Sequence, residues 1–326
     1  MKGVLCAVIL IGLSASGAEV KSQIVRVDKT AGTNAVGAIE TPRRLLLADV
    51  LSYLTVHIRS KCDGRPVTGT GFFYNFRFKD GRTAPMLLTN KHVVLGYTET
   101  TLRFSLVING RPSNQYVDHK LRTNECHWYA HPDNDVDLCA LPILSIIDYQ
   151  KQQGRELFIS PLDSSFIPSK DALANISQLD DVAMIGYPDG IWDEKNNQPI
   201  FRKGVFATSP SKDYNGQKEF VIDMPVYGGS SGSPVLIASD NPFTPQRGNG
   251  GIVMNQRWQL KLMGIVYKTF IHNDVGRLVP ILIPTGAQVL PAAQMRIPNN
   301  LGLVINSSRI KELEEHIVRS WGGEPK

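Results

Sequence analysis

Short segments in which apolar residues occupy every second position recur along two stretches of the chain, and this pattern constrains the fold most. The first stretch predicts strands at 56–58, 69–74, 86–89, 101–108, 115–121 and 136–141. After a less periodic connection at 143–178, the second predicts strands at 181–187, 201–208, 219–223, 233–237 and 262–267. The 20 prolines and 28 glycines are typical of a chain with many short strands and turns. An all-β fold with two β-barrels side by side is the simplest arrangement.

Two helices are expected outside these strands. A short amphipathic helix is predicted within 45–54, and a terminal helix at about 308–320 is capped by Ser307 or Ser308 and packs on the second barrel. Two further segments are expected to shape a cleft: a polar, glycine-rich loop at 243–259 and a proline-rich, apolar segment at 274–300.

The first 18 residues have the layout of a secretory signal peptide. One lysine precedes an apolar run at 4–13, and small residues follow at 14–18. The alternative is a buried first strand, but the run is too short to span a membrane as a helix. We therefore expect a signal peptide at 1–18, an N-terminal arm at 19–47 and a secreted or periplasmic protein with no integral membrane segment after signal removal.

Charge and cysteine content argue against several classes of ligand. The net charge of +5 is spread along the chain without a run of lysines or arginines, so no nucleic-acid partner is predicted. Removal of the signal peptide leaves Cys62, Cys126 and Cys139, an odd number that permits at most one internal disulfide. Neither C-x-x-C nor H-E-x-x-H occurs, so we expect no metal site and no cofactor.

The segment 227–235, Y-G-G-S-S-G-S-P-V, places Ser231 in a G-x-S-G-x-P pattern. Glycines permit backbone conformations in which consecutive N–H groups turn toward one point beside an exposed hydroxyl. This is what a serine nucleophile and its oxyanion hole require. The alternative is a polar turn between two strands.

The sequence also offers candidates for the base that would activate the serine and for the acid that would orient this base. His92 follows an apolar strand directly, which can fix an imidazole at a strand end, although a surface turn is the alternative. Among three aspartates within 131–141, Asp137 begins the apolar run and is expected to be buried beside the histidine. The alternatives are a strand-initiating aspartate and a calcium loop, but Val136 and Leu138 interrupt the oxygen donors that calcium needs.

The motifs L-T-N-K-H-V at 88–93, D-L-C-A-L at 137–141 and G-S-S-G-S-P at 229–234 stand in the order His, Asp, Ser. That order resembles the trypsin-like serine peptidases of the chymotrypsin fold. The bacterial high-temperature-requirement branch of that family is similar at two further segments, G-T-G-F-F at 69–73 and V-A-M-I-G-Y-P at 182–188. The resemblance implies two antiparallel six-stranded barrels at about 55–145 and 178–306 within a peptidase domain at 48–322. No PDZ domain is expected, since little chain follows the terminal helix.

By this resemblance, Ser231 is the nucleophile, His92 the general base and then acid, and Asp137 the residue that orients it. The backbone N–H groups of Gly229 and Ser231 would form the oxyanion hole. The resemblance thus implies a secreted or periplasmic serine endopeptidase that forms an acyl-enzyme on protein or peptide substrates. The alternatives are an inactive binding protein with the same fold and an esterase or acyl-transferase using the same site.

The chain departs from the digestive members of the family at two positions. Ser230 stands where those enzymes have an aspartate that pairs with a freed N-terminus, so activation by that ion pair is not expected. Pro225 stands where the basic-specific pocket carries an acid, so a preference for Lys or Arg is not expected either. The strand that would line the pocket is followed by Tyr267, Lys268 and Thr269. We expect the pocket to take a small or medium apolar residue of the substrate, the one before the cleaved bond.

Overall fold

The computed structural model describes residues 46–62, 65–123, 125–239, 244–248, 251–255, 259–277 and 292–326. The predicted signal peptide at 1–18 and nearly all of the predicted arm at 19–47 lie outside these residues.

The described chain forms mainly strands. The strands are β1 (Thr55–Cys62), β2 (Arg65–Arg77), β3 (Thr83–Thr89), β4 (Glu99–Ile108), β5 (Arg111–Arg122), β6 (Tyr129–Ala130), β7 (Cys139–Pro142), β8 (Leu162–Asp163), β9 (Asp181–Gly186), β10 (Ile200–Phe206), β11 (Glu219–Asp223), β12 (Pro234–Ser239), β13 (Thr244–Gly248), β14 (Gly251–Asn255), β15 (Gln259–Arg277) and β16 (Ala292–Asn306). The helices are α1 (Leu47–Leu51), α2 (Lys91–Val94), α3 (Leu144–Gln152), α4 (Lys170–Ala174) and α5 (Ser307–Ser320), with 3₁₀ turns at Ser164–Phe166 and Pro188–Gly190.

The first eight strands form one sheet in the order β5-β4-β1-β2-β3-β7-β6, with β8 in parallel beside β2. Strand β2 is aromatic at four of the five positions 72–76, where it is covered on both faces. Phe72, Tyr74 and Phe76 pack into one hydrophobic core, and Phe73 packs into another. Successive side chains of a strand leave opposite faces, so both sets are buried at once.

Strands β9 to β12, β15 and β16 close into a six-stranded barrel in the order β10-β11-β16-β15-β12-β9. Its interior includes Phe220 and Ile222 of β11, and closure removes the exposed strand edges. The pairing of β15 with β16 shifts register between Val266 and Lys268, which leaves Tyr267 in a bulge.

The prediction of an all-β fold with a C-terminal helix is confirmed. The N-terminal half differs from the implied six-stranded barrel in its strand pairing. Among the described residues its eight strands form a sheet that does not close, because β6 is two residues long and pairs only with β7.

Two local predictions were wrong. The strand predicted at 136–141 begins only at Cys139, so Asp137 precedes the strand rather than starting it. The polar segment at 243–259 contains the hairpin of β13 and β14, whose backbone pairing does not depend on alternating side chains. Part of the 274–300 segment belongs to β15 and β16, while 278–291 lies outside the described residues.

Helix α5 joins the two halves of the molecule. Its buried side chains Ile310, Leu313 and Ile317 lie in a core cluster that contains residues of both sheets, so the helix packs on both halves rather than on the second barrel alone. The N-cap is Asn306, whose side chain accepts a hydrogen bond from the N–H of Ser308 at 2.9 Å. The prediction of Ser307 or Ser308 as the cap was wrong, since these are the first two residues of the helix. Asparagine and serine are equally good N-caps, so residue type alone did not distinguish Asn306 from its neighbours.

Candidate active site

The structure brings His92 and Asp137 into contact. His92 follows one strand of a pair, and Asp137 precedes the other. Strand β3 leads into α2, which carries His92, and the end of β3 pairs with the start of β7, just after Asp137. The His92 ring Nδ1 hydrogen-bonds with Oδ2 of Asp137, and the His92 backbone N–H donates to Oδ1 at 3.1 Å. With the Nδ1 hydrogen directed at the carboxylate, Nε2 keeps its lone pair and can accept a proton.

The backbone of Asp137 is fixed as well, since its carbonyl accepts a hydrogen bond from Nδ2 of Asn90 at 2.7 Å. Burial works to raise the pKa of the Asp137 carboxyl, but hydrogen bonds from the ring and backbone of His92 and attraction to that ring outweigh it, so the pKa lies below its ordinary value. Asp137 is therefore ionised at neutral pH. An ionised carboxylate is the form that orients an imidazole and stabilises an imidazolium.

The glycine–serine turn connects β11 to β12. Ser230 and Ser233 in this turn are fully buried, and the Ser230 hydroxyl accepts a hydrogen bond from the N–H of Tyr227 at 3.3 Å. Ser231 is only half-buried. It is therefore the serine of the turn that a substrate can reach.

Two glycines of the turn have backbone conformations that side chains disfavour. Gly229 has φ 79° and Gly232 has φ 88°. A Cβ on Gly229 would overlap the carbonyl oxygen of Tyr187, and one on Gly232 would overlap the carbonyl oxygen of Thr70. The close approach and the positive φ both require glycine here.

Two peptide planes of the turn leave their N–H groups unpaired. The carbonyl of Gly228 accepts a hydrogen bond from the N–H of Asp189, and the carbonyl of Ser230 accepts one from the N–H three residues on at 3.0 Å. Because C=O and N–H point in opposite directions in a trans peptide, the N–H groups of Gly229 and Ser231 point away from these partners. Neither donates a hydrogen bond to any residue in the described ranges. Such free N–H groups are suited to binding an anion.

The hydroxyl of Ser231 donates to the carbonyl oxygen of Tyr267 at 3.4 Å. Within the described part of the chain, no hydrogen bond joins it to the ring of His92. An O–H···O bond is ordinarily 2.5–3.0 Å long, so the contact with Tyr267 is weak. Rotation about one single bond takes the hydroxyl to its other staggered positions.

Of the predicted pocket residues, Tyr267 is the one with a hydrogen bond to Ser231. Its own hydroxyl donates to Oε1 of Glu219 at 2.8 Å, which anchors the ring to β11. Burial, and then the hydrogen bond to Glu219, raise the pKa of Tyr267, so the phenol stays neutral.

The other predicted pocket residues lie near the same strands without a hydrogen bond to the serine among the described residues. Lys268 is exposed, and Pro225 is half-buried in the loop after β11. The hydroxyl of Thr269 donates to the carbonyl of Leu301 at 3.2 Å, across the pair of β15 and β16. The direction of these contacts could not be predicted because bulges interrupt the two-residue period of β15.

Two residues that contact the turn, Thr70 and Asp189, were not predicted from the sequence. Thr70 is fully buried in β2, and it hydrogen-bonds to the backbones of Gly229 and Ser231. Asp189, with φ 51°, directs its N–H at the turn. The signals available were the G-T-G and P-D-G patterns, which indicate close approach and a turn but not the partner.

Cys126 and Cys139 are both free thiols, so neither belongs to a disulfide. No cluster of three or more His, Cys, Asp or Glu in the described ranges is arranged to hold a metal ion. The described helices include none that is long and apolar enough to cross a membrane.

A closed antiparallel barrel beside a second β-sheet, with a His–Asp pair and a glycine–serine turn, defines the class of chymotrypsin-like proteins. The sequence profile of the trypsin-like peptidase domain matches residues 69–241, more than half of the chain. The chain belongs to this family, whose members are hydrolases that act on peptides. No curated protein sequence matches the chain.

Solved protease structures are similar to the chain at low identity. The inactive form of Rv3671c from M. tuberculosis H37Rv, a serine-to-alanine mutant, is 16% identical with a TM-score of 0.39 over 82% of this chain and 88% of that one. The HtrA-type protease AlgW, a serine-to-alanine variant with a tripeptide, is 14% identical with a TM-score of 0.43 over 83% and 62%. The thermostable serine protease AL20 from an extremophilic microorganism is 12% identical with a TM-score of 0.43 over 83% and 99%. The family assignment rests on the domain profile and not on these similarities.

Proposed function

We propose that the chain is a serine endopeptidase that uses Ser231, His92 and Asp137. The observation that carries this proposal is the two-point bonding of the Asp137 carboxylate to the ring and the backbone of His92. A ring held in this way has one tautomer and presents Nε2 as a base. Membership of the trypsin-like peptidase family supplies the reaction class, hydrolysis of peptide bonds.

In the proposed reaction, Ser231 Oγ turns from the Tyr267 carbonyl and attacks the carbonyl carbon of a peptide bond. Its proton passes to Nε2 of His92, and the ionised Asp137 stabilises the resulting imidazolium. The imidazolium then gives the proton to the leaving amine, which leaves an acyl-enzyme on Ser231. Water, activated by the same ring, hydrolyses the ester.

The negative charge of the tetrahedral intermediate is assigned to the free N–H groups of Gly229 and Ser231. Their direction is fixed by carbonyl bonds on the far side of each peptide plane. Donors fixed before the reaction do not have to reorganise as charge develops, which is the main source of stabilisation at such sites.

Protein or peptide substrates are proposed to place a small or medium apolar residue beside Tyr267, Lys268, Thr269 and Pro225. The bonding of Tyr267 to both Ser231 and Glu219 supports a fixed wall at this position. A cleavage profile on a peptide library tests the preference. A profile dominated by Lys or Arg before the cleaved bond would contradict it.

Secretion or periplasmic export is proposed from residues 1–18 alone. Cell fractionation followed by N-terminal sequencing checks it. The mature chain is expected to begin near residue 19, and an intact N-terminus on a cytoplasmic protein would contradict the proposal.

The alternative of an inactive binding protein has one observation in its favour, the hydrogen bond of Ser231 to Tyr267 in place of His92. A fluorophosphonate probe separates the two functions, because only an activated serine reacts with it. We expect mass spectrometry to find the label on Ser231 in the wild type and in the surface control Ser211→Ala, and no label in Ser231→Ala.

Casein hydrolysis then tests the peptidase activity itself. Ser231→Ala is expected to lose several orders of magnitude in turnover. A purified Ser231→Ala protein that cleaves casein as fast as wild type would refute the assignment. Labelling at Ser231 with turnover of simple esters but not of peptides would instead indicate an esterase or acyl-transferase.

A further inference from the structure

We infer that Thr70 is a positioning residue that fixes the nucleophile turn to the N-terminal sheet; the inference rests on the proposed function. Thr70 is fully buried in β2, whereas the turn belongs to the C-terminal barrel. Its backbone N–H donates to the carbonyl of Ser231 at 2.8 Å, and its hydroxyl donates to the carbonyl of Gly229 at 2.9 Å. One residue of one half thus holds both residues of the proposed oxyanion hole.

The same hydroxyl has a second role as an acceptor. It accepts a hydrogen bond from the N–H of Tyr187, at the end of β9, at 3.1 Å. The carbonyl of Thr70 in turn accepts from the hydroxyl of Thr89, the last residue of β3, at 2.7 Å. Since β3 leads directly to His92, the segments that carry the base and the nucleophile are both bonded to Thr70.

These bonds set the conformation of Gly229. The peptide plane before it is held by Asp189 at the Gly228 carbonyl. The plane after it is held by the Thr70 hydroxyl at the Gly229 carbonyl and by the Ser230 N–H, which donates to the carbonyl of Tyr227 at 3.1 Å. A glycine is otherwise free to adopt many conformations, so both planes must be fixed for its N–H to keep one direction. Without the hydroxyl, the second plane loses its only side-chain donor among the described residues.

A buried threonine needs hydrogen-bond partners in any protein, so burial alone would indicate only a structural role. The partners distinguish Thr70 from such a residue. Thr100, for comparison, is buried in β4 of the same sheet, and its hydroxyl pairs with that of Ser60 at 3.1 Å, with no hydrogen bond to the turn among the described residues. Thr100 is therefore a matched control.

The test compares Thr70→Val, which keeps the shape and removes the hydroxyl, with Thr70→Ser, which keeps the hydroxyl. We expect Thr70→Val to lower kcat for a peptide substrate about 10- to 100-fold with KM little changed, because the donors act on the transition state. Thr70→Ser and Thr100→Val are expected to keep kcat within a few-fold of wild type. A Thr70→Ser variant as slow as Thr70→Val, or an equal loss in Thr100→Val, would overturn the inference.

Hydrogen exchange on the full-length chain gives a readout that does not need activity. Amide exchange at 227–233 is expected to rise in Thr70→Val and to stay at the wild-type rate in Thr70→Ser and Thr100→Val. Unchanged exchange in Thr70→Val would overturn the inference even in an active enzyme. If exchange is faster in Thr70→Val but the wild-type protein cleaves no peptide, the positioning role is supported and the proposed function is refuted. Should Thr70→Val fail to fold, Thr70→Ala is the second variant without the hydroxyl, and the same outcomes apply.

Discussion

At the scale of single residues, Gly228 and Gly229 are neighbours with opposite constraints. A Cβ on Gly228 would meet only Oδ1 of Asp189 at 3.5 Å, an ordinary contact, whereas one on Gly229 would overlap the Tyr187 carbonyl in a left-handed backbone. We expect Gly229→Ala to cost about 1–2 kcal/mol in the free energy of unfolding from its φ alone. Its kcat is expected to fall by about 100-fold or more, as when an oxyanion donor is misplaced.

Gly228→Ala is the matched control for that prediction. Peptide turnover and thermal unfolding of both variants provide the measurement. Gly228→Ala should stay within about twofold of wild type in kcat, since nothing in the described structure opposes a methyl group at that position. Equal losses in the two variants would contradict the role given to Gly229.

Asp137→Asn is expected to keep the fold and lose the base. The amide can still accept the hydrogen bond from the His92 backbone, but its NH₂ group would then face Nδ1 and place the ring hydrogen on Nε2. The loss in kcat should be about 10⁴-fold, the effect of the wrong tautomer in such a triad. Steady-state kinetics measures the loss in kcat, and ¹⁵N NMR of the His92 ring shows which nitrogen carries the hydrogen. The exposed Asp135→Asn is the control, and an unchanged ring tautomer in Asp137→Asn would contradict the argument.

At the scale of elements, α5 is docked through a buried carboxyl group. Glu314 accepts hydrogen bonds from the hydroxyl of Tyr74 at 3.0 Å and from the N–H of Arg77 at 2.6 Å, both in β2. Burial raises the pKa of Glu314 to about 7, against the lowering effect of those hydrogen bonds. The folded chain therefore holds this proton more tightly than the unfolded chain, and the stability it contributes is lost as the pH rises from about 4.5 to about 7.

Glu314→Gln removes this titration while keeping the shape of the side chain. We expect the variant to gain stability relative to wild type as the pH rises through that window, by on the order of 3 kcal/mol at the upper end. Thermal unfolding between pH 4.5 and 7.5 measures the difference. Glu315→Gln, on the same helix and bonded only to Arg319 at 3.3 Å among the described residues, is the control and should follow the wild-type profile. A constant offset between Glu314→Gln and wild type would contradict the raised pKa.

At the scale of the whole molecule, the sequence predicted what depends on local pattern. The strand periods and the face of α5 follow from short segments of chain, and the proposed triad residues follow from three short motifs that resemble those of the family. What it missed depends on contacts between distant segments: Thr70 and Gly229 are joined across the two halves, and Asp137, which was predicted to lie in a strand, precedes β7. A two-residue period predicts the face of the sheet on which a side chain lies, but not which segment of the chain packs against that face. The partner of the G-T-G segment was therefore not predictable.

The two halves also meet at a buried histidine whose titration opposes that of Glu314. His57 in β1 stacks on the ring of Tyr187, at the end of β9, with 4.6 Å between ring centres, and its Nε2 bonds to the hydroxyl of Thr68 at 2.8 Å. Burial, and then the charges of Arg59 and Arg103, lower the pKa of His57 to about 3, although Asp118 acts the other way. The unfolded chain takes up a proton near pH 6.5 that the folded chain does not, so stability is lost as the pH falls from about 6.5 toward 3.

Between about pH 4.5 and 6.5, a rise in pH therefore weakens the docking of α5 through Glu314 and strengthens the junction at His57. Each group contributes about 1.4 kcal/mol per pH unit in this window with opposite sign, so these two contributions to the wild-type stability cancel each other. His57→Phe keeps a stacking ring without a charge and should lose stability relative to the wild type as the pH rises across the window. Glu314→Gln should gain stability relative to the wild type over the same range, and the double variant should have the wild-type slope again. Thermal unfolding of the four proteins at matched ionic strength measures these slopes. Equal slopes in the two single variants would show that neither group titrates as its burial requires.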